Sequence, residues 1–127
     1  MRRALLALFV SLAFIGSAFA FAGFAPYEKT KFDQLVQSRQ PVIAHVHATW
    51  CSTCKRQETI MNEMLKDPRY AKLQAVRVDY DKDTAFEKAH NVSSRATILV
   101  FKGGKEVSRL VFDTDPEHIR KTIDAAL

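Results

Sequence analysis

Internal repeats and low-complexity tracts are absent from this chain, and their absence leaves 127 residues to be read as a single domain. With 47% hydrophobic residues that domain can bury a real core. Dense charge of one sign is missing too. Basic residues are scattered, as at Lys29, Lys31, Arg39, Lys66, Arg69 and Arg109. The formal net charge of +5 drops to +3 once Arg2 and Arg3 are set aside, 17 basic residues against 14 acidic. A balance that mild, without a patch, argues against a nucleic-acid partner.

Long uncharged stretches are scarce as well: one stands out, at the N-terminus. Arg2 and Arg3 precede a run from Ala4 to Ala25 rich in Leu, Phe and Ala, the pattern of an export signal. Ala18-Phe19-Ala20 supplies a small-x-small cleavage pattern, giving a signal peptide over residues 1–20 and a mature domain over 21–127. Cleavage within Ala20-Phe21-Ala22 would start the chain at Gly23 instead. Left uncut, the 22 uncharged residues to Ala25 could span a hydrocarbon core of about 30 Å as an inner-membrane anchor. Arg2-Arg3 lacks the flanking pattern of a folded-protein export signal, and no cysteine near Ala20 suggests lipid attachment. The expected location is therefore the periplasm or another exported, oxidising compartment, where disulfides form and persist.

Cysteine is sparse, and both copies fall in Trp50-Cys51-Ser52-Thr53-Cys54-Lys55 beside the only tryptophan. A pair two residues apart can close a disulfide or grip a soft metal. As a structural staple it would achieve little, because so short a loop constrains the unfolded chain by roughly 2 kcal/mol, against about 3 for fifteen residues. Redox chemistry is the leading use of this spacing, with metal binding and a structural bridge behind it.

Taken in order, residues 27–38 place Phe32, Leu35 and Val36 on one face of a short helix, which Pro41 ends. Val42 to Ala48 is apolar on both faces except for His45 and His47, as in a central strand covered on each side. Ile43, His45 and His47 share one face. That strand runs into Cys51, and a helix follows with Ile60, Met61, Met64 and Leu65 inward until Asp67-Pro68 stops it. Val76 to Tyr80 alternates like a strand, and Thr84 to His90 makes a short helix with Phe86 and Ala89 inward. Thr97 to Phe101 is a buried strand, Gly103-Gly104 a tight turn, and Lys105 to Phe112 the antiparallel return. Asp115 caps a last helix with Pro116 at its first position and Ile119, Ile123 and Ala126 buried. This is an α/β order, βαβ followed by ββα.

The arrangement resembles thioredoxin over nearly the whole mature chain. The resemblance rests on Trp50-Cys51-Ser52-Thr53-Cys54-Lys55, on Val76-Arg77-Val78-Asp79, and on Thr97-Ile98-Leu99-Val100-Phe101-Lys102-Gly103-Gly104. With the export signal it looks closer to periplasmic thiol:disulfide interchange proteins than to the cytosolic reductant. It implies a three-layer sandwich with a central mixed sheet flanked by helices. It also implies Cys51 as the attacking cysteine, Cys54 as the resolving one, and Trp50, Arg95, Ala96 and Thr97 as partner-binding. No dissociable cofactor is implied. The partners would be protein dithiols and disulfides, with a membrane-embedded electron relay as a possible source and a monomer as the working unit.

A thiol attacks as thiolate, and a free cysteine near pKa 8.5 is mostly protonated at neutral pH. A helix N-terminus is worth up to about 2 kcal/mol, or about 1.5 pKa units, towards the charged form. Three departures from the family pattern qualify the resemblance. His45 stands where thioredoxin has a buried acid serving the resolving cysteine, so it becomes the candidate base for Cys54. Ala96 stands in place of a cis-proline. A cis bond before a non-proline residue costs about 2.5–4 kcal/mol, so trans geometry is expected there. Ser52-Thr53 replaces Gly-Pro between the cysteines. His47 is expected to flank the site, and His90 and His118 to be ordinary helix residues.

Those departures keep two other functions open. His45 and His47 with Cys51 and Cys54 could form a soft-metal site for copper or zinc. Alternatively, the domain could be a thioredoxin-like interaction module without turnover.

Overall fold

A computed structural model describes residue 21 and residues 23–127 of the chain. The signal segment over 1–20, and Ala22 of the second cleavage motif, lie outside the described residues. Among those residues, no helix is long and apolar enough to cross a membrane.

Five strands form one mixed sheet in the order β1-β3-β2-β4-β5. They are β1 (Ala25–Pro26), β2 (Val42–His47), β3 (Gln74–Asp79), β4 (Thr97–Lys102) and β5 (Lys105–Val111). The first three run parallel, and β4 and β5 are antiparallel to their neighbours. The helices are α1 (Lys29–Gln37), α2 (Ser52–Met64), α3 (Thr84–Ala89) and α4 (Pro116–Asp124), with a 3₁₀ turn over Pro68–Tyr70. The expected three-layer sandwich is what forms.

β2 is central because its sequence tolerates cover on both faces. Val42, Ala44 and Val46 face one core with Val76, Val78, Leu99 and Phe101, closed by Phe32 of α1 and Phe86 of α3. Ile43 faces the other with Ala75, Ile98 and Val100, closed by Met61 and Met64 of α2 and Ile119 and Ile123 of α4. His45 lies on this second face, fully buried. Phe24 and Phe21 pack against the same core, ring against ring at 5.9 Å, and the Phe24 ring lies 5.8 Å from that of His45.

Local chemistry sets the boundaries. Asp115 caps α4 by accepting from the backbone N–H of Glu117 at 2.8 Å, with Pro116 in the first turn. Gly103 and Gly104 adopt φ of 63° and 86°, the left-handed pair that a two-residue hairpin needs. α2 stops at Met64, and the expected break at Asp67-Pro68 becomes the 3₁₀ turn, which buries Tyr70 and lets its hydroxyl donate to Asp124 at 2.6 Å. Ala89 is exposed rather than inward. α3 is only six residues long, so Phe86 alone reaches the core, and Val92 beyond the helix fills the place expected for Ala89.

Candidate functional site

The two cysteines sit where β2 hands over to α2. Cys51 is the N-cap of α2 and is disulfide-bonded to Cys54, with 5.3 Å between their α-carbons. Its Sγ accepts the backbone N–H of Cys54 at 3.1 Å, one of the donors a helix start leaves unpaired. Both cysteines are buried. Cys51 is 3% exposed and adjoins Trp50, 57% exposed, whereas Cys54 is fully buried with its Sγ 3.8 Å from the Val46 carbonyl oxygen.

Ala96 closes the other side of the disulfide, packed with Ala48, Cys51 and Cys54. The peptide before it is trans, as expected, and its φ is +56°. That left-handed conformation costs an alanine about 1–2 kcal/mol. It persists because the backbone on both sides is held: Ala96 N–H donates to Val46 O at 2.8 Å, and Ala96 O accepts from Phe112 N–H at 2.9 Å.

The expected partner surface divides in two. Ala96 and Thr97 are buried, and the Thr97 hydroxyl turns back to donate to Ser94 O at 2.7 Å, so neither offers its side chain outward. Trp50 and Arg95 do reach the surface. The Arg95 guanidinium lies 4.6 Å from the Trp50 ring and 5.0 Å from that of Phe112, which is 43% exposed. The Trp50 indole N–H donates to Asp81 at 2.8 Å.

Beneath this surface lies a buried polar network. The Gln57 amide nitrogen donates to Ala96 O at 3.1 Å and to Asp113 O at 3.0 Å. Its oxygen is therefore the acceptor for His45 Nε2 at 2.9 Å, which fixes the proton of neutral His45 on Nε2. Burial pushes the His45 imidazole down to about 4, against the partial support of that bond. Its Nδ1 is buried without a hydrogen-bond partner, 3.9 Å from Glu58. His47 Nε2 is 3.6 Å from the same carboxylate, and burial lowers its pKa as well. Arg77 grips Glu58 through two guanidinium nitrogens.

His45 does lie next to the expected site, but neither of its ring nitrogens hydrogen-bonds a sulfur: Nε2 serves Gln57, and Nδ1 faces Glu58. Nor do the four soft-metal candidates converge. His45 and His47 face Glu58, while Cys51 and Cys54 are tied to each other beside Ala96. Among the described residues, no group of three or more His, Cys, Asp or Glu side chains is placed to hold a metal ion. His90 caps α3 with its ring 4.3 Å from that of Phe86, and burial lowers its pKa. His118, in the first turn of α4, is raised by its contact with Asp113 at 2.6 Å.

Gln57 is the important residue that the motif does not mark. A trace of it exists in the pattern, since Cys54, Gln57, Met61 and Met64 follow helical spacing and are all buried, so a polar group interrupts an apolar stripe.

A disulfide at a helix N-terminus, flanked by an exposed tryptophan on a mixed five-stranded sheet, defines a thiol:disulfide oxidoreductase. The Thioredoxin family profile matches residues 23–125, and the chain belongs to that family. It is 30% identical to a putative thioredoxin-4 of Dictyostelium discoideum over 96 residues, 76% of this chain and 88% of that one. Thioredoxin Y of the rice chloroplast is 28% identical over 99 residues, and there the match takes in 77% of this chain but only 58% of the relative's length. Among solved structures, the crystal structure of Trxlp from Edwardsiella tarda superposes with a TM-score of 0.76 at 30% identity, covering 80% of this chain and 98% of that one.

Proposed function

We propose that the protein works outside the cytoplasm, exchanging disulfides with partner proteins, with Cys51 as the attacking sulfur and Cys54 as the resolving one. The observation that carries this reading is the Cys54 N–H donated to Cys51 Sγ at the start of α2. In the reduced protein the same donor and the helix dipole favour thiolate on Cys51 over Cys54. The leader pattern of Arg2, Arg3 and the apolar run supports export.

In the reducing direction, the Cys51 thiolate attacks one sulfur of the partner's disulfide, forming a mixed disulfide and releasing the other sulfur as thiolate. Cys54 passes its proton to the partner thiolate just released and attacks Cys51 Sγ, which expels the second partner thiolate. Two electrons pass to the partner, whose thiolates take up two protons, and Cys51–Cys54 is left oxidised. A membrane-embedded dithiol relay would return the electrons. In this scheme neutral His45 acts through Gln57 on the position of the Ala96 loop.

The test is trapping in cells. Expressed from the full chain, Cys54→Ser should accumulate mixed disulfides with envelope proteins, and Cys51→Ser should accumulate none. Adducts confined to the cytoplasm would reject export, and absence of adducts from both variants would reject the exchange reading.

A further inference from the structure

Two buried polar atoms among the described residues lack a hydrogen-bond partner: His45 Nδ1, which faces Glu58 in the interior, and Arg95 Nε, on the side of the exposed Trp50. Trp50 donates to Asp81, and Asp113 is engaged by His118 and by the backbone N–H of Asp115. Arg95 is bonded to neither carboxylate. Among the described residues its guanidinium has no carboxylate or carbonyl acceptor, and its buried Nε has no hydrogen-bond partner. Such a donor costs free energy until something accepts from it.

Its placement is specific. The rings of Trp50 and Phe112 hold the guanidinium at 4.6 and 5.0 Å. Cation–π contacts of this kind fix the group and exclude water while leaving the in-plane N–H fork free. Each ring is exposed, so the clamp opens to the surface. Trp50 adjoins Cys51 in sequence, and Arg95 adjoins Ala96, which packs against both cysteines. The guanidinium thus neighbours the disulfide through both Trp50 and Ala96, and one or two residues of an extended partner chain, each about 3.5 Å long, are the scale on which a side chain beside the reacting cysteine would meet it.

We propose that Arg95 is a specificity-determining residue that selects partner polypeptides with an Asp or Glu within two residues of the reacting cysteine. The carboxylate would take the paired N–H groups of the guanidinium, a geometry for which lysine is a poor substitute. Among the described residues no carboxylate is bonded to it: Asp81 accepts from Trp50, and Asp113 is engaged by His118 and the Asp115 N–H. The inference rests on the disulfide-exchange reading and adds a preference among its substrates.

The experiment uses the reduced protein and three cystine-bridged peptide pairs identical except for Asp, Asn or Lys beside the cysteine. Second-order exchange rates are followed at low and high salt. The Asp peptide should react roughly fivefold faster than the Asn peptide, and the Lys peptide slowest. The Asp advantage should shrink towards unity as salt rises from ~0.01 to ~1 M. Arg95→Met should erase the Asp-to-Asn ratio, and Arg95→Lys should keep part of it. Equal rates for Asp and Asn in the unaltered protein would overturn the proposal without any variant, as would an unchanged ratio in Arg95→Met. Exchange with none of the peptides would overturn the underlying activity and this preference together, whereas equal exchange with all would overturn the preference alone.

Discussion

The Gln57 amide nitrogen lies 3.1 Å from the carbonyl oxygen of Ala96, a residue 39 positions further along the chain and in a left-handed conformation beside the disulfide. Through this bond and its partner to Asp113 O, α2 holds both the segment entering β4 and the segment leaving β5. Replacing Gln57 with Leu leaves two carbonyls and His45 Nε2 without this partner in a dry interior. A loss of about 2–4 kcal/mol is expected from guanidinium denaturation. A loss below about 1 kcal/mol would mean that the network does not hold the loop.

Ala96 itself gives a paired prediction. Ala96→Gly relieves the left-handed strain but loosens the unfolded chain, for a net gain of about 0.5–1 kcal/mol. Ala96→Pro should be damaging. It removes the N–H that donates to Val46 O and forces φ away from +56°, at about 3 kcal/mol or more. Denaturation midpoints that rank Pro above Ala would show that the loop adopts another backbone.

Stability should depend on pH through His45. Its imidazole is held down to about 4 in the fold, against about 6.5 in an unfolded chain. The folded state is thus the poorer proton binder. Stability should be fully present above about pH 6.5, fall as pH drops towards about 4, and level off below, a loss of about 3 kcal/mol. His47 and His90 are lowered in the same sense, while His118, raised by Asp113, gives stability that is complete below its unfolded pKa and lost at higher pH. The difference between the unaltered protein and His45→Gln isolates the His45 contribution, and identical slopes for the two from pH 4 to 7 would refute it.

The N-terminal edge offers a fourth check. Phe21 and Phe24 pack on the His45 face of the core. A chain beginning at Phe21 should be more stable than one beginning at Gly23 by about 1 kcal/mol, less than full burial of a phenylalanine because Phe21 is only partly covered. Equal melting temperatures would show that this contact contributes nothing.

Most of the fold was legible because its signals are local. The β2 run, the Gly103-Gly104 turn and the Asp115-Pro116 cap each specify their own geometry within a few residues, and the structure has all three. The parts that were not legible depend on distant partners. β1 is two residues long and exists because Ala25 and Pro26 find β3, with Tyr27 N–H donating to Arg77 O at 2.9 Å. The clamp of Arg95 between Trp50 and Phe112 joins three segments that no periodicity links. His45 was visible as an unusual residue in an apolar strand. Its hydrogen-bond partner was not, because Gln57 reaches it from the facing helix rather than from the motif around the cysteines.

The position of Phe21 also sets a timetable. On the proposed export route the scissile bond lies within a residue or two of a side chain that belongs to the folded domain. A signal peptidase must take that stretch in an extended, accessible form, and a phenylalanine already seated on Phe24 would resist being drawn out. On that route maturation would be a race between cutting and docking, and it would run smoothly when the leader is removed before the N-terminal edge settles onto the sheet.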